Sequence, residues 1–361
     1  MSLNISLTKR AENFYFPQKN LRLNFPLCLA PMVGLSHAAL RHLIQEYMPQ
    51  GGQTLWPTEM LNSRRLPHEE LGQTLETKIT PYDEVLVPQI LGNEEEPIRD
   101  SVRAMETWGV AGIDINMGCP VQKALRHNYG VALMGDPQYA AEVVAMTTRY
   151  AQVPVSVKLR AVGSDKNLDE LLAFVTGLQK AGAAWVCLHP RTAEQKRRGR
   201  ADWSQIEFLV KNTQLPIIGN GDVQTAEDAL AMLQETGCHM VMAGRGLAAR
   251  PWMMWQLAEE LGLAMPESFA GRRAPLTSEE EGAEYGRSLI RFIDLCVHYF
   301  GEEPALRRVR FYVRTTIPWL VFGQSVLSIV TKERNTEDIK KSLEVFFSQP
   351  QEMMKKTELR Q

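Results

Sequence analysis

The stretch IDINMGCPVQK, Ile113 to Lys123, decides how this chain is read. Its apolar start reads as a buried strand, which Gly118 and Pro120 bring to an abrupt stop. A thiol, Cys119, is thereby expected on the loop just past the strand, whereas an inert core cysteine would sit within it. A free thiol is mostly protonated at neutral pH, which suits a proton donor better than a nucleophile. The inert alternative fits Cys28, Cys187 and Cys238 better, since each lies in or against an apolar run, and Cys296 falls in an apolar helix.

Seven similar runs flank this one: PLCLA (26–30), QTLWPTE (53–59), EVLVPQI (84–90), VPVSVKL (153–159), AWVCLH (184–189), LPIIGN (215–220) and HMVMAG (239–244). The segments between them read as helices. SHAALRHLIQEYM is expected to start at Ser36 as its cap, and TAEDALAMLQETG has Thr225 as cap, Asp228 three residues on and Gly237 as its stop. NEEEPIRDSVRAMETWG carries acids and Pro97 in its first turn and stops at Gly109. Eight strand-helix units between Pro26 and Gly262 match a closed (β/α)₈ TIM barrel of the α/β class. An open doubly wound sheet would need a glycine-rich turn after its first strand, which APMVG (30–34) lacks.

Beyond Gly262 a polar linker leads into long amphipathic stretches, read as about four helices. The expected division is a barrel over 1–262 and a C-terminal all-helical domain over 263–361. A net charge of −2 gives the whole chain no drive toward nucleic acid. Five widely spaced cysteines suggest neither a metal knuckle nor a disulfide framework, so a reducing cytoplasm and no metal are expected. The N-terminus lacks the apolar core of a signal peptide, and the longest uncharged run, Thr315–Thr331, is interrupted by Pro318 and Gly323. No membrane association is expected, and a monomer is.

Barrel chemistry sits at the C-terminal strand ends. The turns NGD (220–222) and GRG (244–246) free backbone amides for a phosphate, and Arg245 adds a bidentate donor; packing turns are the alternative. Lys158 ends a buried strand and calls for an anion beside it, either a reduced flavin, with Gln89 as a further hydrogen-bonding group, or Glu59 in a salt bridge. His189, at a strand end, reads equally as a functional or a satisfied structural histidine.

At these residues the chain resembles the tRNA-dihydrouridine synthases. The matching pieces run in that family's order: APMVG, TEM, VPQILG, DINMGCPVQK, VPVSVKLR, LHPRT, ADW, IIGNGDV and MAGRG, over about residues 27 to 260. The resemblance implies an FMN-dependent enzyme that reduces uridine in tRNA with NADPH or NADH. Flavin nitrogen 5 would pass hydride to carbon 6, and Cys119 would protonate carbon 5 as general acid. Pro31, Met32, Val33, Gln89, Lys158, Asn220, Gly221, Asp222, Gly244 and Arg245 match FMN-contacting positions, and Asn116 and His189 match positions near base and flavin. The chain departs from the pattern at Pro190, at AVGSD (161–165) and in ALRHNYGVALMGD (124–136), all in loops around the substrate.

RNA contact is also legible without the resemblance. Lys196, Arg197, Arg198 and Arg200 crowd the loop after the sixth strand, and Arg307, Arg310 and Arg314 are expected to form an outward basic stripe on one helix. Two alternatives remain at this level: a small-molecule flavin barrel of the dihydroorotate or dihydropyrimidine type, and a catalytically silent RNA-binding module.

Overall fold

The computed structural model describes residues 2–121, 125–162, 167–196 and 198–358. After an N-terminal helix, Ser2–Ala11, a hairpin of β1 (Tyr15–Phe16) and β2 (Leu21–Arg22) turns through left-handed Asn20. The sequence reading did not anticipate either element. Together they close the lower end of the barrel, where Phe14 and Phe16 pack edge-on against Trp185 at centroid distances of 5.6 and 5.8 Å.

The barrel strands are β3 (Leu27–Leu29), β4 (Trp56–Asn62), β5 (Leu86–Leu91), β6 (Ile113–Met117), β7 (Val155–Arg160), β8 (Trp185–His189), β9 (Ile217–Asn220) and β10 (Met240–Ala243). They form one parallel sheet in the order β3-β10-β9-β8-β7-β6-β5-β4, as the eight apolar runs require. At the remaining seam the Thr54 hydroxyl donates to the carbonyl of Leu27 at 2.7 Å. Side chains alternate along each strand. In β7 and β8, Val157, Leu159, Val186 and Leu188 face the surrounding helices, while Ser156, Lys158 and Cys187 point inward.

Three helix termini follow their sequence signals. Thr225 and Asp228 form a reciprocal capping box, and Gly109 and Gly237 end their helices at φ +86° and +70°. Ser36 does not cap. Its hydroxyl donates to Ala30 O and accepts from Met32 N, fixing the loop after β3, so the helix Ala38–Gln45 starts beyond His37 with no side-chain cap.

Among the described residues four α-helices follow the barrel: Ser278–Phe300, Glu302–Thr316, Gly323–Lys332 and Thr336–Phe347. The linker before them is not loose, since Phe269 stacks on Tyr47 and Trp255 at 4.9 and 4.8 Å. A shared apolar core joins helices to barrel, and Arg250, fully buried, pairs with Glu281 at 3.1 Å. Tyr312 donates to Ala248 O at 2.8 Å. The terminal segment then doubles back, with Val321 N bonding to Glu352 O and Met354 N to Trp319 O. No helix among the described residues is long and apolar enough to cross a membrane.

Candidate active site

A cavity of about 710 Å³ opens at the C-terminal ends of the strands, roofed on one side by helix Glu302–Thr316. Of the residues singled out in the sequence, Pro31, Met32, Val33, Asn116, Cys119, Lys158, His189, Asn220, Gly221, Asp222, Gly244, Arg245 and Arg314 line it. They come from β3, β6, β7, β8, β9, β10 and the helical tail. Strand register explains the inner group: Asn116 lies opposite Lys158 across β6 and β7.

The thiol of Cys119 is set by buried side chains beneath it. Asp114 accepts from Ser156 Oγ and Gln89 Nε2, both at 2.6 Å. Gln89 Oε1 accepts from Asn116 Nδ2 at 2.7 Å, and Asn116 Oδ1 accepts the backbone N–H of Cys119 at 2.9 Å and of Gly118 at 3.1 Å. Arg160 holds the same turn from outside by donating to Gly118 O at 2.8 Å. Gly130 folds over it at φ +62°, where a Cβ would stand 2.6 Å from Cys119 O. Cys119 therefore remains on the cavity wall beside Met60. The other four cysteines are fully buried, and burial pushes their thiols up, to about 12 for Cys187 and about 11 for Cys238.

Gln89 requires a correction. It was expected against the flavin, but it is wholly buried and off the wall, with its amide committed to Asp114 and Asn116. Strand register places Gln89 directly beside Asp114, a residue that the sequence reading missed because its partner is 25 positions away.

Charge around the opposite strand ends is mostly positive. Among the described residues Lys158 Nζ bonds to the neutral Asn220 Oδ1, at 3.1 Å, while Glu59 accepts Gly34 N at 2.7 Å. Burial, then Lys158, Arg160, Arg191 and Arg245, hold His189 well below the usual imidazole range, so its ring is neutral at pH 7. Against those four cations the wall carries Asp222 and Glu358. The carboxylate of Asp222, whose turn is expected to offer backbone amides to a phosphate, accepts from Arg191 at 2.6 and 2.8 Å and from Ala201 N at 2.7 Å. It orients Arg191, a residue to which the sequence alone assigns no role. Gly221 has no room for a side chain, since a Cβ would lie 2.9 Å from His189 Cδ2. Gly246 is packed against Val223 O in the same way, which brings the two glycine turns together.

The basic groups divide. Arg198 and Arg200 line an adjoining cavity of about 990 Å³ that shares Arg191, Asp222 and Arg245 with the first. Lys196 is exposed on the same loop, and Arg197 lies outside the described residues. On the tail helix, Arg314 stands on the cavity wall and Arg307 pairs with Glu303 at 2.8 Å. Arg310 does not belong to an outward stripe: it donates to Val330 O and Glu333 O at 2.9 and 3.0 Å, closing the end of helix Gly323–Lys332. Phe311, also missed, packs on the loop after β3, where a Cβ at Gly34 would lie 2.7 Å from its ring.

A parallel eight-stranded barrel with a wall-mounted thiol and a cationic cradle at its C-terminal strand ends defines a (β/α)₈ enzyme site. The family model described as dihydrouridine synthase (Dus) matches residues 28–279, and the chain belongs to that family. A Rhizobium leguminosarum bv. phaseoli protein called "Probable tRNA-dihydrouridine synthase" is 33% identical over 282 residues, covering 78% of this chain and 82% of that one. A Mycobacterium leprae (strain TN) protein of the same name is 30% identical over 322 residues, covering 82% and 80%. Among solved structures, "Crystal structure of TcOYE with pHBA" overlaps 69% of this chain and 93% of that one, with TM-score 0.47 and 9% identity.

Proposed function

We propose that this protein reduces uridine to 5,6-dihydrouridine in tRNA, in the cytoplasm, with FMN as its flavin, NADPH or NADH as reductant and Cys119 as general acid. The observation that carries this reading is the placement of Cys119 in the same cavity as Lys158 and the paired glycine turns. The relatives' names point to the same reaction.

The residues present suit FMN. Arg245 and the amides around Gly221, Asp222, Gly244 and Gly246 form a cradle for its phosphate, and the close contacts at Gly221 and Gly246 exclude side chains there. Lys158, facing a neutral partner, is free to compensate negative charge on the flavin ring, and Pro31, Met32 and Val33 border the ring's place. Neutral His189 contributes one donor and one acceptor. When bound, the flavin supplies the hydride for carbon 6 of the uracil.

Cys119 supplies the matching proton. Its S–H bond breaks as the new C–H bond forms at carbon 5, and the thiolate recovers a proton from solvent. Hydride and proton together saturate the double bond. The base must leave its RNA stack to reach the thiol. Barrel residues hold flavin and base, while Lys196, Arg197, Arg198, Arg200, Arg307 and Arg314 bind tRNA phosphates. Mass spectrometry of tRNA from a deletion strain tests this: loss of dihydrouridine at one or more positions is expected, and unchanged dihydrouridine everywhere would favour a small-molecule substrate.

A further inference from the structure

Phe322 is the only aromatic residue at positive φ among the described residues, at φ +60° and ψ +23°. That region disfavours a bulky L-residue. Burial does not explain it, because the residue is 73% exposed, the most of any aromatic residue described. The surrounding chain enforces it. Val321 N is tied to Glu352 O at 2.9 Å and Gly323 N to Leu320 O at 3.0 Å, and a Cβ on Gly323 would stand 2.6 Å from Ile317 O. A strained backbone that holds an aromatic ring out in solvent points to use of the ring.

Phe322 borders a third cavity, of about 710 Å³, with Gln324 and Ser325 on its polar side. Arg314 and Pro318 line both this cavity and the active-site cavity, so the two adjoin. A ligand that fills both has a reactive unit in one and a second unit in the other, with negative charge near Arg314 between them. Consecutive nucleotides of a single-stranded RNA segment have that form: a flat base for the exposed ring and a phosphate for the guanidinium.

We infer that this cavity is a second nucleotide subsite, in which Phe322 stacks the base of a nucleotide flanking the target and Arg314 holds the phosphate between them. This rests on the RNA-modifying reading above and deepens it, because a base held here selects which uridine enters the active site. Phe322 and Arg314 act on the substrate alone and leave flavin reduction untouched.

The test uses FMN-loaded full-length enzyme, NADPH and tRNA transcribed in vitro. Phe322→Ala and Phe322→Asn should each lower kcat/KM for tRNA by about tenfold or more, the effect of losing one stacked base, mainly through KM. Phe322→Trp should restore it. NADPH oxidation by the flavin should be unchanged in all three. The Tm of Phe322→Asn should equal or exceed that of the wild type, since asparagine tolerates this backbone, whereas a merely structural ring would lower Tm. If the wild type forms dihydrouridine and both variants match its kcat/KM, the subsite is wrong and the functional reading stands. If the variants alter NADPH oxidation instead, the cavity serves the reductant and the inference is overturned. If the wild type forms no dihydrouridine in any tRNA, the functional reading fails first.

Discussion

The side-chain oxygen of Asn116 accepts the backbone N–H of Cys119 at 2.9 Å, and Gln89 fixes that asparagine from below at 2.7 Å. The position of the thiol is thus set by a chain that ends at Asp114, well under the cavity. Gln89→Met keeps the volume and removes both bonds. Displacement of the acid should lower the rate of dihydrouridine formation by roughly 10²-fold. Flavin content and NADPH oxidation should be unchanged. A drop in bound flavin instead would mean that Gln89 touches the ring directly, and measuring the flavin-to-protein ratio decides between the two.

Lys158 bonds to a neutral amide at 3.1 Å, which leaves its charge available to an anion. Lys158→Met should weaken FMN binding by about tenfold or more, in line with about 1.5–3 kcal/mol for a hydrogen bond to a charged group. Titration of apoprotein with FMN, followed by fluorescence, reads this directly.

His37 is fully buried between Phe292 and Phe300, and neither ring nitrogen has a hydrogen-bond partner. Burial, then Arg308 and Arg41, lower its pKa far below the ordinary value. The folded state therefore binds fewer protons than the unfolded state once pH falls below about 6.5. Stability should decline as pH drops through that point, by up to about 1.4 kcal/mol per pH unit for each such histidine. His189 contributes in the same direction. His37→Phe should flatten the fall of Tm between pH 6.5 and pH 5.

Two arginines on one helix should separate stability from RNA binding. Arg310 donates to two carbonyls at 2.9 and 3.0 Å, so Arg310→Ala should lower Tm and leave KM for tRNA near normal. Exposed Arg314 on the cavity wall is the converse: Arg314→Glu should raise KM for tRNA, most strongly at low salt, with Tm unchanged. Melting curves and steady-state kinetics on the same samples check both.

The barrel was legible because each strand is an apolar run and each helix stop is a local signal, as at Gly109 and Gly237. Cavity residues were legible where strand ends expose them, as with Lys158 and Arg245. What failed was long-range pairing. Ser36 looks like a cap, yet its hydroxyl serves the loop after β3. Arg310 shares helical spacing with Arg307 and Arg314, but its carbonyl partners begin 20 residues on. Gln89 has the chemistry to meet a flavin, and nothing local reveals that Asp114 and Asn116 claim it. The N-terminal hairpin has strands of two residues each, too short for alternation to show.

The most direct measurement is single-turnover dihydrouridine formation by Cys119→Ala, reduced in advance and mixed with tRNA. The account predicts a rate lower by about 10²- to 10⁴-fold, the usual contribution of a positioned acid, with FMN content and NADPH oxidation intact. Formation at the wild-type rate would contradict it, because the proton for carbon 5 would then come from another group.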